Sequence, residues 1–249
     1  MEIILNERTF AQRAIATGSI GKKPAQTLGC IAKYLCHEGY EKPQIEGTLH
    51  QFMQEYYADY NAVEWDGLIS RLSARADARP LLQADTVTVT QSELSTIKAL
   101  GSSPLERLSF TLLCLAKYAL LFNPANGGWV TQKWSVLFRM AHVQAGKEKQ
   151  ASMLHRLREK ELIEFSRSVD NLHIRVLFLR PDSEPACKLD DFREPGLYYL
   201  SLQGERLIHC ACCGKLLRPK TNNQKYCPGC RAEMNLKKTL ARYHSAAGF

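Results

Sequence analysis

Two Cys-x-x-Cys pairs, Cys210/Cys213 and Cys227/Cys230, stand thirteen residues apart near the C-terminus. A two-residue spacer lets the backbone turn tightly enough to bring both thiolates of a pair onto one ion. Two such pairs supply the four soft ligands of a tetrahedral structural zinc. Four thiolates leave no open coordination position, so a zinc held this way folds its module and does no chemistry of its own. A redox reading fails because the pairs come as two and lie in no βαβ context. The run His209, Cys210, Ala211, Cys212, Cys213 also permits a His209/Cys212 register. Gly214 favours Cys210/Cys213, because glycine lets the knuckle turn back on itself, and this leaves Cys212 spare. The other cysteines, Cys30, Cys36, Cys114 and Cys187, are scattered in mostly apolar contexts and read as small buried hydrophobes.

Charge is divided as unevenly as the cysteines. The chain has 249 residues and a formal net charge of +8. Residues 1–205 are balanced, with 24 basic and 24 acidic groups. Residues 206–249 hold nine basic groups against Glu233 alone, so the entire excess sits in the last 44 residues. Such asymmetry points to a basic module for phosphate backbones, the plain alternative being a solubilising tail. No segment approaches the roughly 18 consecutive apolar residues of a membrane helix. Met1 to Arg8 has neither a basic start nor a small-residue cleavage site. A soluble cytoplasmic protein without membrane contact is the expectation, and in it clustered cysteines mean metal rather than disulfides.

The fold class expected is mainly α with small β, in four segments. Residues 1–84 form a helical domain, with amphipathic helices over 24–38, 43–58 and 63–78. Residues 85–180 begin with an alternating strand at 85–89. Two capping boxes follow, Thr90 with Glu93 and Ser103 with Glu106. A nearly all-apolar helix over 104–122 is the expected spine. Next come a short strand at Trp129 and Val130, a helix capped by Thr131, and a helix over 147–160. Strands over 162–168 and 172–179, joined by Val169, Asp170 and Asn171, close the segment. Residues 181–204 read as a linker leading into a hairpin, with strands over 197–202 and 205–208 around Gln203 and Gly204. Residues 205–249 are the four-cysteine finger with a basic helix over 231–244.

The stretch from Cys210-x-x-Cys213-Gly214-Lys215 through Gln224-Lys225-Tyr226-Cys227-x-x-Cys230-Arg231 resembles treble-clef zinc fingers, over about 205–244. The resemblance implies a knuckle and hairpin ahead of a helix whose first turn carries the last two ligands. Arg231, Asn235, Lys238 and Arg242 then form one polar stripe, while Ala232, Leu236, Leu240 and Tyr243 face the zinc core. With Lys215, Arg218, Lys220 and Lys225, this stripe is the expected phosphate surface. Residues 104–179 resemble winged-helix domains by order of elements. That resemblance implies a recognition helix over 147–160, with Gln150, Met153, Leu154 and Leu157 inward. Lys149, Ser152, Arg156 and Arg158, with Arg167 on the first wing strand, would meet DNA. Glu148 and Glu159 on the same arc count against it.

Neither a Walker A sequence nor H-E-x-x-H nor G-x-S-x-G occurs, and no paired catalytic constellation can be named. The combined expectation is a non-enzymatic nucleic-acid-binding protein with one zinc per chain, DNA more than RNA being its partner. The combination of modules resembles uncharacterised proteins of bacteriophages and other mobile elements. A protein-docking module, such as an inhibitor of a nucleic-acid enzyme, and an RNA-binding or replication accessory protein are the alternatives.

Overall fold

The computed structural model describes residues 3–167, 173–181 and 183–246. The chain is mainly helical with small sheets, and it divides into two units, Met1–Asp85 and Thr86–Phe249.

The first unit is four helices: α1 (Glu7–Thr17), α2 (Pro24–His37), α3 (Lys42–Tyr56) and α4 (Ala62–Ala74). The apolar faces read from the periodicity of α2 and α3 are buried: Leu28, Ile31, Ala32 and Leu35 meet Ile45, Leu49, Phe52 and Met53, with Ile69 from α4. Tyr56, at the end of α3, is exposed. Helix α1 was not expected. Its inward side is built on Ala11 and Ala14, residues too small to give a strong apolar period. Its marks are local: Asn6 Oδ1 accepts from the Thr9 amide at 2.9 Å, and Gly18 ends the helix at φ 64°. A strap over 82–84 is hydrogen-bonded back onto Leu5 and Glu7. The buried Glu7 carboxylate takes the Leu82 amide at 2.8 Å and the Lys33 ammonium.

The second unit is built around α6 (Ser103–Phe122). Leu108, Phe110, Leu112, Leu113 and Leu115 are at most 1 % exposed, so the helix is buried nearly all round. Its start differs from expectation. Ser102 is the N-cap, Glu106 N donates to Ser102 O at 2.8 Å, and no side chain caps the helix. The Glu106 carboxylate instead accepts from the Tyr199 hydroxyl at 3.0 Å, a partner from far along the chain that no local motif could announce. The other capping box forms as read, Thr90 Oγ1 and the Glu93 carboxylate opening α5 (Gln91–Lys98). Thr131 is no cap, for α7 (Trp134–Met140) begins after Lys133.

Strand β1 (Val87–Thr90) pairs antiparallel with β5 (Pro185–Leu189), Val87 opposite Leu189. Residues 185–189, read as linker, are therefore a strand. Helix α8 (Lys147–Glu159) follows α7. Strands β2 (Trp129–Val130), β3 (Ile163–Phe165) and β4 (Ile174–Val176) form an antiparallel sheet in the order β2-β4-β3. The expected join at 169–171 lies outside the described residues.

The stretch expected as the first strand of a hairpin is helix α9 (Pro195–Leu202). Pro195 supplies a helical φ at the first position, and α9 packs on α6 through Tyr199, whose ring lies 5.3 Å from that of Phe110. Contact is tight because residue 196 is glycine: a Cβ there would sit 2.2 Å from the Ala141 carbonyl oxygen. The apolar run at 197–200 thus serves burial on a helix rather than on a strand. The hairpin is the small pair β6 (Ile208–His209) and β7 (Leu216–Leu217), ahead of α10 (Pro228–Ala246).

Among the described residues, no helix is long and apolar enough to cross a membrane.

Candidate metal centre

The β6–β7 turn is a knuckle. Cys210 N donates to Lys215 O at 2.9 Å, and Gly214 N donates to Cys210 O at 2.8 Å. Gly214 stands at φ 70°, a left-handed conformation that any other residue here would adopt only under strain. Ala211 N reaches the Lys225 carbonyl at 2.9 Å, tying the knuckle to the chain that leads into the second pair. Cys227 then sits just before α10, with its carbonyl accepting from Arg231 N and its sulfur from Cys230 N at 3.4 Å. A sulfur is thus doing what a serine or aspartate oxygen does at other helix starts.

The two halves bring the Sγ atoms of Cys210, Cys213, Cys227 and Cys230 within 4.8 Å of one another. Cys213 and Cys227 sulfurs lie 3.9 Å apart. Tetrahedral coordination with zinc–sulfur bonds near 2.3 Å requires sulfur separations of about 3.8 Å. The four could therefore hold a metal ion as they stand, and the all-sulfur donor set fits Zn²⁺. His209, the rival ligand, points its Nδ1 to the Gly214 carbonyl at 3.0 Å, and Cys212 is exposed beside the cluster.

The electrostatics suit a cation. Amides of Cys227, Cys213 and Cys212 directed at the Cys210 sulfur bring its thiol down to about 6, the Cys227 amide at 3.2 Å. Cys230 moves the other way. Hydrogen bonding with the thiols of Cys213, Cys227 and Cys212 holds its proton on. Four thiols packed this closely cannot all ionise without a positive charge between them, and a divalent ion supplies it. Elsewhere, burial pushes the Cys30 thiol up to about 12 and Cys187 to about 11, and Cys114 is raised too, as inert packed thiols should be.

Around the cluster the core is small: Cys210, Leu217 and Cys227, with Ile208, Tyr226 and Cys230 against it. Among the described residues it reaches only the first turn of α10. Leu236, expected to face it, is 60 % exposed, and Ala232 is exposed as well. The side chains of Leu240, Arg242 and Tyr243 lie outside the described residues.

The finger is joined to α9 and its approach. Leu216 packs with Leu197 and Leu200, and Arg193 donates to the Cys213 carbonyl at 2.9 Å while clamped on Asp191. Glu194, 8 % exposed, takes both Lys215 and His142. Burial would raise its carboxyl, but these two hydrogen bonds outweigh that and leave it below its ordinary value.

The basic residues nominated from the sequence fall into three groups. Lys215 is paired with Glu194 and Arg218 with Glu205. Lys220, Lys225, Arg231, Asn235 and Lys238 are exposed on the finger, and no carboxylate within hydrogen-bonding reach holds them among the described residues. On α8, Met153, Leu154 and Leu157 are buried, while Lys149, Ser152, Arg156 and Arg158 are exposed together with Glu148 and Glu159. Arg158 lies 5.6 Å over the Phe165 ring of β3, and Arg167 is exposed just beyond that strand.

Comparison with known protein families, with characterised proteins and with solved structures finds no match for this chain.

Proposed function

We propose that this protein is a non-enzymatic, zinc-containing nucleic-acid-binding protein, with a treble-clef finger at its C-terminus and a winged helix in its second unit. The observation that carries the reading is the exposed set Lys225, Arg231, Asn235 and Lys238, with no carboxylate partner among the described residues; Lys225 is tied to the knuckle through its carbonyl, and the other three stand on the helix that the cysteine cluster starts. Cations left unpaired on a rigid element suit phosphates, and a structural metal supplies that rigidity to a module too small to have a large core. For the centre, support comes from the order α6, β2, α7, α8, β3, β4 and from the sheet order β2-β4-β3, which places α8 ahead of two adjacent wing strands. In this reading α8 enters the major groove and the finger tracks the backbone, as befits a DNA-binding regulator. A phage or other mobile element is the setting that the resemblance of its modules suggests.

Fluorescence anisotropy with a labelled duplex tests this. Affinity should fall with salt at a log–log slope of roughly −0.9 per phosphate neutralised. No binding to any nucleic acid, or binding indifferent to salt, would overturn it. The protein-docking alternative draws on Leu236, a large apolar side chain 60 % exposed on α10. It is favoured if Leu236→Ser abolishes function in vivo while duplex binding persists.

A further inference from the structure

On the finger, the loop before Cys227 and the first turns of α10 enclose an open groove of about 390 Å³. Its walls include Asn223, Lys225 and Tyr226 on one side and Arg231, Asn235 and Lys238 on the other. The loop wall is braced from within. Gln224 accepts from Lys220 N at 2.8 Å and donates to the Tyr226 carbonyl at 3.1 Å, and Lys225 is pinned to the knuckle through its own carbonyl. The helix wall is held by Cys227 and Cys230. Tyr226 is half-buried: part of it packs on the cysteine core, and the rest forms the groove wall. Glu233, the carboxylate on this stretch of α10, does not line the groove.

An aromatic wall, three side-chain amides (Asn223, Gln224 and Asn235) and three cations make a mixed environment. Phosphate alone would need only the cations. Water alone would not favour an aromatic wall. A nucleotide uses all three, with its base against the ring, its polar edge on an amide and its phosphate among the cations. In a duplex the base faces are covered by stacking, so the aromatic wall has a partner only where a nucleotide is unpaired. We propose that this groove binds one unpaired nucleotide of a single strand, base against Tyr226 and phosphate between Lys225, Arg231 and Lys238. The inference rests on the reading of the finger as a nucleic-acid-binding module and adds the kind of strand it takes.

The test uses the full zinc-loaded chain, labelled dT12 and the dT12·dA12 duplex, measured by anisotropy for wild type, Tyr226→Leu, Tyr226→Phe and Asn235→Ala. Tyr226→Leu should weaken dT12 about tenfold, within the range of one aromatic stack, and leave the duplex within about twofold. Tyr226→Phe, which keeps the ring, should bind dT12 as wild type does. Asn235→Ala, at an exposed helix position, should weaken dT12 severalfold with zinc content unchanged, and it carries the test if Tyr226→Leu loses zinc. If the variants leave dT12 unchanged, or weaken strand and duplex equally, the nucleotide groove is wrong while nucleic-acid binding stands. If wild type binds neither these probes nor mixed-sequence single strands and duplexes, the underlying reading fails as well.

Discussion

Cys227 belongs to the four-thiol cluster, and its sulfur also caps the helix that follows. Replacing it should therefore cost more than an exposed cysteine nearby. The wild type is expected to hold one zinc per chain; Cys227→Ser should remove it, whereas Cys212→Ser should leave the stoichiometry unchanged. Metal analysis of protein purified without chelator decides this, and a Cys212 variant lacking zinc would mean a different ligand set. Gly196 presents a second single-atom requirement, since a Cβ would overlap the Ala141 backbone. Gly196→Ala should destabilise the second unit by about 1–3 kcal/mol of overpacking strain, read as a lower denaturant midpoint. Glu194 brings a pH dependence. Its folded carboxyl is depressed, so its contribution is present above the ordinary glutamate value near 4.3 and is lost as pH falls through the lower, folded value. Denaturation measured from pH 6 down to pH 3 should show a loss of stability that Glu194→Gln blunts. An identical profile in both proteins would mean that the ion pairs to His142 and Lys215 contribute nothing.

At the scale of elements, α8 and α10 carry different kinds of surface. Helix α8 shows Lys149, Arg156 and Arg158 interleaved with Glu148 and Glu159, and Arg158 is drawn toward Phe165. With Lys147, α8 carries four basic groups against these two carboxylates, and the carboxylates on the same arc limit the general affinity it adds, leaving base contacts as its expected contribution. Lys149→Ala with Arg156→Ala should change the ranking of affinities across a panel of duplexes, at about 1–3 kcal/mol per altered base preference. A fixed ranking would make α8 a scaffold. Helix α10 presents Arg231, Asn235 and Lys238 without carboxylate partners among the described residues, and phosphates are the same in every sequence. Replacing Arg231, Lys238 and Arg242 by Ala should weaken all duplexes about equally and flatten the salt dependence by up to about 0.9 per lost phosphate contact. A salt slope equal to that of the wild type would exclude the stripe.

Over the whole molecule, stability has separate sources. The first unit closes on its own apolar cluster and the Glu7 strap, and the second on α6. The finger leans on three small supports, namely the cysteine cluster, Leu216 against α9, and the Arg193 and Lys215 bonds. Chelation should then raise hydrogen exchange in 208–246 to near that of an unstructured chain, with α1–α4 and α6 still protected. Loss of protection throughout the second unit would mean instead that the metal holds up the α6 core.

What the sequence determined by itself was local in origin. Ligand spacing is set by two intervening residues, so the cysteine pairs and the Gly214 turn could be read from adjacent residues. Periodic burial in α2, α3 and α8 and the continuous apolar run of α6 were legible for the same reason, as was the Thr90 capping box. Tertiary structure alone decided whatever depended on residues distant along the chain. Apolar residues at 197–200 suit a strand or a helix equally, and it was the fit of Gly196 on Ala141 and of Tyr199 on Phe110 that selected the helix. Residues 185–189 became a strand because β1, almost a hundred positions earlier, left an edge to pair with. Lys215 and Arg218 looked as available as Lys225 and Arg231 by charge and spacing. Only folding brought Glu194 and Glu205 to the first two, because an ion pair forms where side chains meet in space.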